Sequence, residues 1–239
     1  MLEELINGVG KLGFKLTSNQ LDQFETYYHE LHSWNLKTNL TAITDYKGVQ
    51  VRHFLDSLTI SLALPRPIPT GLSLIDIGTG AGFPGLPLKI LYPEIRITLL
   101  EATSKKVMFL EHLVVALGLS DVTIIAERAE EAAHLSEYRE CFEVVVSRAV
   151  AELPALAELT LPFCLPGGRA IAQKKGGIGI ELDRAAHALE VLGGELAEIK
   201  EVPLSILLDR HCLVVIAKTA PTPTAYPRRP GMPAKRPLL

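Results

Sequence analysis

Apolar residues along this chain follow two rhythms, and the rhythm changes near residue 64. Before that point they fall at helical spacing: Leu2, Leu5, Ile6, Val9 and Leu12, then Leu21, Phe24, Tyr28 and Leu31. Thr17 and Gln20 have the capping-box spacing that starts a helix. The run from Trp34 to Thr41 predicts a polar break, and Val49 to Leu64 a further helix carrying Arg52, His53, Asp56 and Ser57. After a proline-rich linker, Pro65 to Gly71, short apolar runs alternate with amphipathic ones. Strands are predicted at Leu72–Ile77, Ile95–Glu101, Val122–Ala126, Phe142–Ser147 and Arg169–Gln173, the last entered through a Pro166-Gly167-Gly168 turn. Helices are predicted at Leu86–Tyr92, Ser104–Leu117, Leu153–Phe163 and Ile180–Leu192.

This alternation predicts an α/β fold with a doubly wound, mostly parallel sheet. The last two apolar runs, Leu196–Val202 and Cys212–Ala217, are joined only by Pro203 to His211. That is too short for a crossover helix, so they are expected as antiparallel neighbours at the sheet edge. The chain thus divides into a helical extension (1–64), an α/β domain (65–218) and a tail (219–239).

Composition narrows the picture. Apolar residues make up 48% of 239 positions, which excludes bulk disorder. No apolar run approaches the roughly 20 residues of a membrane span, and the acidic start lacks the order of a signal peptide. A cytoplasmic location without membrane contact is expected. Cys141, Cys164 and Cys212 are odd in number and far apart, which predicts buried free thiols and no metal site. The net charge of −3 is uneven: the tail carries Arg228, Arg229, Lys235 and Arg236 with no acidic residue, leaving the body at −7. A basic, proline-rich tail fits either a polyanionic partner or a solvated terminus.

The candidate chemistry centres on the first strand and the turn after it. Asp76 ends the strand, and Gly78, Gly80, Gly82 and Gly85 follow before the next helix. Gly80-x-Gly82-x-x-Gly85, with Glu101 further on, matches the dinucleotide fingerprint of an NAD(P)-dependent oxidoreductase. An acidic strand end, Gly78-x-Gly80-x-Gly82, and an acidic residue ending the second strand equally match the S-adenosylmethionine site of methyltransferases. A dinucleotide needs its pyrophosphate on the helix N-terminus. S-adenosylmethionine carries an ammonium and a sulfonium, which Asp76 favours, and Glu101 suits ribose hydroxyls in either case. The closing hairpin favours the methyltransferase sheet.

Other positions sit on the same sheet edge. Ala129 and Glu130 follow the third strand, where such folds contact adenine. Arg148 closes the fourth strand, and Lys174 and Lys175 the fifth. With Lys105 and Lys106 they outline a basic rim suited to phosphates. His53 and Asp56, three apart, have the spacing of an acid–base pair, but a polar helix face near a domain contact is the reading preferred.

Taken together, the motifs carry a resemblance. They are Trp34-Asn35, Asn39 to Ile43, Arg52 to Leu58, Asp76 to Gly85 with its Gly-Phe-Pro-Gly ending, Ser104 to Leu110, Arg128 to Glu131, Ser147 to Ala149 and Tyr226 to Pro237. Over nearly its whole length the chain resembles the bacterial small-subunit rRNA guanine-N7 methyltransferases (the RsmG/GidB family). Glu101 stands where many members have aspartate. The resemblance implies a class I, Rossmann-like fold and S-adenosylmethionine contacts at Gly78, Phe83, Glu101, Ala102, Thr103, Ala129, Glu130 and Arg148. It further implies that the substrate is a guanine of 16S rRNA in the small ribosomal subunit, and that the basic rim and tail hold RNA. Nothing in the sequence demands more than a monomer. A non-catalytic rRNA-binding assembly factor is the remaining alternative.

Overall fold

A computed structural model describes residues 2–203, 207 and 209–239. Ten α-helical segments and seven strands alternate among these residues. Helix α1 (Glu3–Lys11) buries Leu5 and Val9, and α2 (Ser18–Thr38) opens with the expected capping box. There the Thr17 hydroxyl accepts from Gln20 N, and the Gln20 side chain accepts from Thr17 N. Contrary to the expected break at Trp34, α2 runs on to Thr38 and stops at Asn39, whose φ is 50°. Packing overrides the polar sequence here: Trp34 lies against Phe109 and His112 of a later helix. The stretch predicted as one helix from Val49 begins earlier, as α3 (Tyr46–Val49), and widens into a π-helical turn over Gln50–Leu55. It continues through α4 (Asp56–Leu58) and a tight 3₁₀ turn, Thr59–Leu62.

The sheet comprises β1 (Ser73–Ile77), β2 (Arg96–Leu100), β3 (Val122–Ile125), β4 (Phe142–Arg148), β5 (Cys164–Lys175), β6 (Gly194–Val202) and β7 (His211–Lys218). Its order is β3-β2-β1-β4-β5-β7-β6. The first five strands are mutually parallel, while β7 runs antiparallel to both β5 and β6. The predicted edge hairpin therefore exists, with β7 lying between β5 and the outermost strand β6; its connection includes positions outside the described residues. Pro166-Gly167-Gly168, expected as the turn before β5, lies within the strand. Phe142 pairs with Cys164 and Val144 with Arg169, so a bulge absorbs the proline and glycines.

Strand alternation sends side chains to two cores, which is why the strands read as nearly continuous apolar runs. Leu74, Leu99, Val144, Val146 and Leu213 pack with α1, α2, α5 (Gly85–Leu91) and α6 (Ser104–Ala116). Ile75, Ile77, Val145, Ala170 and Val214 pack with α8 (Leu153–Thr160) and α9 (Gly179–Val191). The N-terminal helices thus share one core with a sheet face. All three cysteines are free, but only Cys164 and Cys212 are buried; Cys141 is exposed, correcting the expectation for it.

The tail lies along the protein surface. Arg139 donates to the carbonyls of Thr222, Pro223 and Tyr226, and Thr222 N donates to Glu140. Helix α10 (Met232–Lys235) lies near the end. Among the described residues, no helix is long and apolar enough to cross a membrane.

Candidate active site

The loop after β1 is shaped from below. Asp76 is fully buried, and its Oδ2 accepts from the Thr79 hydroxyl at 2.6 Å and Gly85 N at 2.8 Å. Its Oδ1 has no hydrogen-bond partner among the described residues, and burial pushes the carboxyl up to about 7. Asp76, expected from its position at the strand end to favour the cofactor's cations, here ties the two ends of the loop together. Gly82 has a similar inward role. Its φ is +96°, and a Cβ there would stand 2.5 Å from the Tyr27 hydroxyl, which donates to Ala81 O at 2.6 Å. Gly82 thus receives α2 and does not line the cleft.

The cleft itself, of about 260 Å³, opens beside Gly78 and the ends of β1 and β2. Of the residues expected to hold the cofactor, Gly78, Glu101, Ala102, Ala129 and Glu130 line it. Glu101 Oε2 accepts from Gly80 N at 3.0 Å and its Oε1 from Thr103 N at 2.8 Å, fixing the rim. On the Cβ side of Gly80 (φ +63°) the nearest atom would be Gly78 O at 4.0 Å, so a ligand can approach its backbone. Three carboxylates, Glu101, Glu127 and Glu130, face this cleft against one guanidinium, Arg128. That excess of negative charge repels a pyrophosphate and suits a cationic nucleoside bearing free ribose hydroxyls. The residues present fit S-adenosylmethionine.

Next to it lies a polar cluster that joins the N-terminal helices to the sheet edge. Arg148, from the end of β4, donates to Asp56 Oδ2 at 2.9 Å and Arg52 O at 3.1 Å. Asp56 is buried, and its Oδ1 also accepts from Gln173 Nε2 and His211 Nδ1, each at 2.7 Å. The Arg148 guanidinium lies 5.1 Å from the centroid of the Phe83 ring, which stacks on His53 and Tyr27. Since a guanidinium only donates, His53 Nδ1 accepts from it at 3.4 Å, and Nε2–H is left to donate to Thr41 Oγ1 at 2.8 Å. Burial, then the Arg148 charge, push His53 down to about 4, so it is neutral near pH 7. His53 and Asp56 are each bonded to Arg148 and not to each other; the packing-contact reading of this pair is the one the geometry supports.

Several expected ligand residues are already occupied. Phe83 is 5% exposed and packs in the aromatic cluster, outside the cleft lining. Lys174 donates to Ala151 O at 2.7 Å and pairs with Glu181, so it is not free for phosphate. Arg228 is bound by the fully buried Glu158 through Nε at 2.9 Å and a terminal nitrogen at 2.6 Å. Lys106 stands 3.8 Å from Glu101. Lys105, Lys175, Arg229, Lys235 and Arg236 are exposed.

Val150, Gly231 and Ala234 also line the cleft, and the sequence reading missed them. A signal existed for the last two. Glu158 is the single charge within an apolar helix, so its burial demands a cation, and Arg228 delivers the tail to it.

Comparison with known proteins decides the family. The model of the GidB family, rRNA small subunit methyltransferase G, matches residues 20–212. The chain belongs to this family. Proteins named ribosomal RNA small subunit methyltransferase G from Dehalococcoides mccartyi and Roseiflexus castenholzii are 53% and 47% identical to it, each over the full length of both chains. Among solved structures, a mutant of MtNAS in complex with S-adenosylmethionine aligns with TM-score 0.55 at 17% identity, covering 81% of this chain and 72% of that one. A SAM-dependent methyltransferase from Aquifex aeolicus aligns with TM-score 0.52 at 14% identity, covering 75% and 96%. At such identities the likeness is of fold: a Rossmann-like, class I S-adenosylmethionine-dependent methyltransferase. No group of three or more His, Cys, Asp or Glu side chains disposed to hold a metal ion occurs among the described residues.

Proposed function

We propose that this chain transfers a methyl group from S-adenosylmethionine to N7 of a guanine in the decoding region of 16S rRNA, in the small ribosomal subunit. The observation that carries the reading is the carboxylate-lined, phosphate-averse cleft beside a clamped arginine, in a chain of this family. Membership removes the support for an oxidoreductase or a non-catalytic assembly factor.

When bound, the cofactor supplies a methyl on a sulfonium. Guanine N7 presents a free lone pair, so no general base is required, and the neutral His53 fits that economy. The protein's own part is positional. Glu101 takes ribose hydroxyls, Ala102, Thr103 and Ala129 border the nucleoside, and Gly78 and Gly80 let it reach the loop backbone. Arg148, held by Asp56 and Arg52 O, orients cofactor or guanine without moving protons. Phe83 supports Arg148 from below, while Asp76 and Gly82 shape the loop. Lys105, Lys175, Arg229, Lys235 and Arg236 meet phosphates; Lys106 joins them if Glu101 turns to ribose. Residues 1–64 buttress the glycine loop and Arg148, 65–218 form the catalytic domain and 219–239 a strap. The enzyme acts in the cytoplasm as a monomer.

The deciding experiment is transfer of labelled methyl to unmodified small-subunit rRNA, with the product base identified by nuclease digestion. Label in N7-methylguanine is expected; an unlabelled RNA, or label on another atom, overturns the reading. A thermal shift with S-adenosylhomocysteine and none with NADH is the companion result.

A further inference from the structure

The segment from Arg228 to Arg236 faces two ways. Its inner side closes the cleft, where Gly231 and Ala234 form part of the lining. Two carboxylates hold it there. Buried Glu158 takes the Arg228 guanidinium and also accepts from Arg228 N at 2.7 Å; Glu130, itself a cleft residue, accepts from Gly231 N at 2.8 Å. On the other side, Arg229, Pro230, Gly231, Met232, Lys235 and Arg236 enclose a concavity of about 470 Å³. No ion pair among the described residues engages Arg229, Lys235 or Arg236. Gly231 belongs to both walls.

A wall shared by a nucleoside cleft and an unneutralised cationic hollow couples the two. We propose that RNA phosphate bound in this hollow presses the strap onto the cleft and tightens the cofactor there, so that cofactor and RNA bind with positive cooperativity. The inference rests on the proposed rRNA substrate. Its physics is linkage: an anion screening three like charges orders the strap that Glu130 and Glu158 already hold, and whichever ligand binds first lowers the ordering cost for the second. The coupling is reciprocal, so the cofactor product tightens RNA by the same factor.

The test uses the full chain and S-adenosylhomocysteine, titrated calorimetrically alone and with a saturating unmodified fragment of small-subunit rRNA spanning the decoding region. The expected result is binding tighter by about five-fold or more with RNA. A variant combining Arg229→Gln, Lys235→Gln and Arg236→Gln is expected to bind S-adenosylhomocysteine as wild type does without RNA, and to lose the gain with it. Arg229→Gln alone, a single exposed change, is expected to lose part of it. Equal affinity with and without RNA, or a gain that survives in the triple variant at saturation, overturns the proposal. If methyl transfer to the same fragment proceeds while affinities are equal, only the coupling has failed. If the fragment neither binds nor accepts methyl, the substrate reading has failed and the coupling with it.

Discussion

Asp56 concentrates the chemistry of single residues in this protein. One buried carboxylate holds Arg148, His211 and Gln173, so removing its charge strands the arginine at the site's edge. Asp56→Asn is expected to destabilise the fold by about 3 kcal/mol in urea unfolding and to lower methyl transfer at least about ten-fold. Arg148→Ala, which leaves Asp56 its bonds from His211 and Gln173, should lose transfer; wild-type transfer in that variant removes Arg148 from the site. Two other residues set the pH response in opposite senses. His53, lowered from 6.5 to about 4, binds fewer protons folded than unfolded between those values, so its contribution to stability falls as pH drops from 6.5. Asp76, raised from 3.8 to about 7, binds more protons folded, so its contribution falls as pH climbs through that window. The wild type should therefore show little net change in unfolding free energy between pH 4.5 and 6.5, a window set by these two values. His53→Asn should expose a decline with rising pH, and Asp76→Asn a rise.

Docking of α2 on the glycine loop is the contact between elements on which the site depends. Tyr27 reaches the loop carbonyl of Ala81, its ring stacks on Phe83, and Gly82 leaves room for it. Gly82→Ala places a methyl 2.5 Å from the Tyr27 oxygen at a φ of +96°, so a cost of about 2–4 kcal/mol is expected, combining backbone strain and steric displacement. Differential scanning calorimetry reads this, and the loss should be accompanied by weaker S-adenosylhomocysteine binding. Tyr27→Phe keeps the stacking and should cost about 1–3 kcal/mol, the penalty of an unpaired buried carbonyl.

At the scale of the whole molecule, the charge distribution separates cations that hold the fold from cations open to a partner. Lys174 and Arg228 sit in ion pairs with Glu181 and Glu158, whereas Lys175 and Arg229 are exposed. Lys175→Ala and Arg229→Ala should each reduce the slope of log affinity against log salt by about one phosphate's share and leave the melting temperature unchanged. Lys174→Ala and Arg228→Ala should lower the melting temperature first. A salt slope that responds equally to all four would merge the two classes.

By itself the sequence determined what is local or periodic. The two hydrophobic rhythms, the capping box at Thr17 and the glycine loop between a strand and a helix each follow from spacing a few residues long. The acidic strand end and Glu101 were legible for the same reason. Tertiary structure decided which polar groups are spent on the fold. Phe83, Lys174 and Arg228 read as ligand residues because the sequence does not reveal a packed partner, and Asp76 because it does not show the loop folding back onto its carboxylate. Their partners, Thr79 and Gly85, Tyr27 and His53, Glu181, and Glu158, appear only when the elements pack. The tail likewise reads as a solvated basic segment until the burial of Glu158 calls for a cation, because a charge within an apolar helix is affordable only when a pairing contact, here 70 residues away, is made.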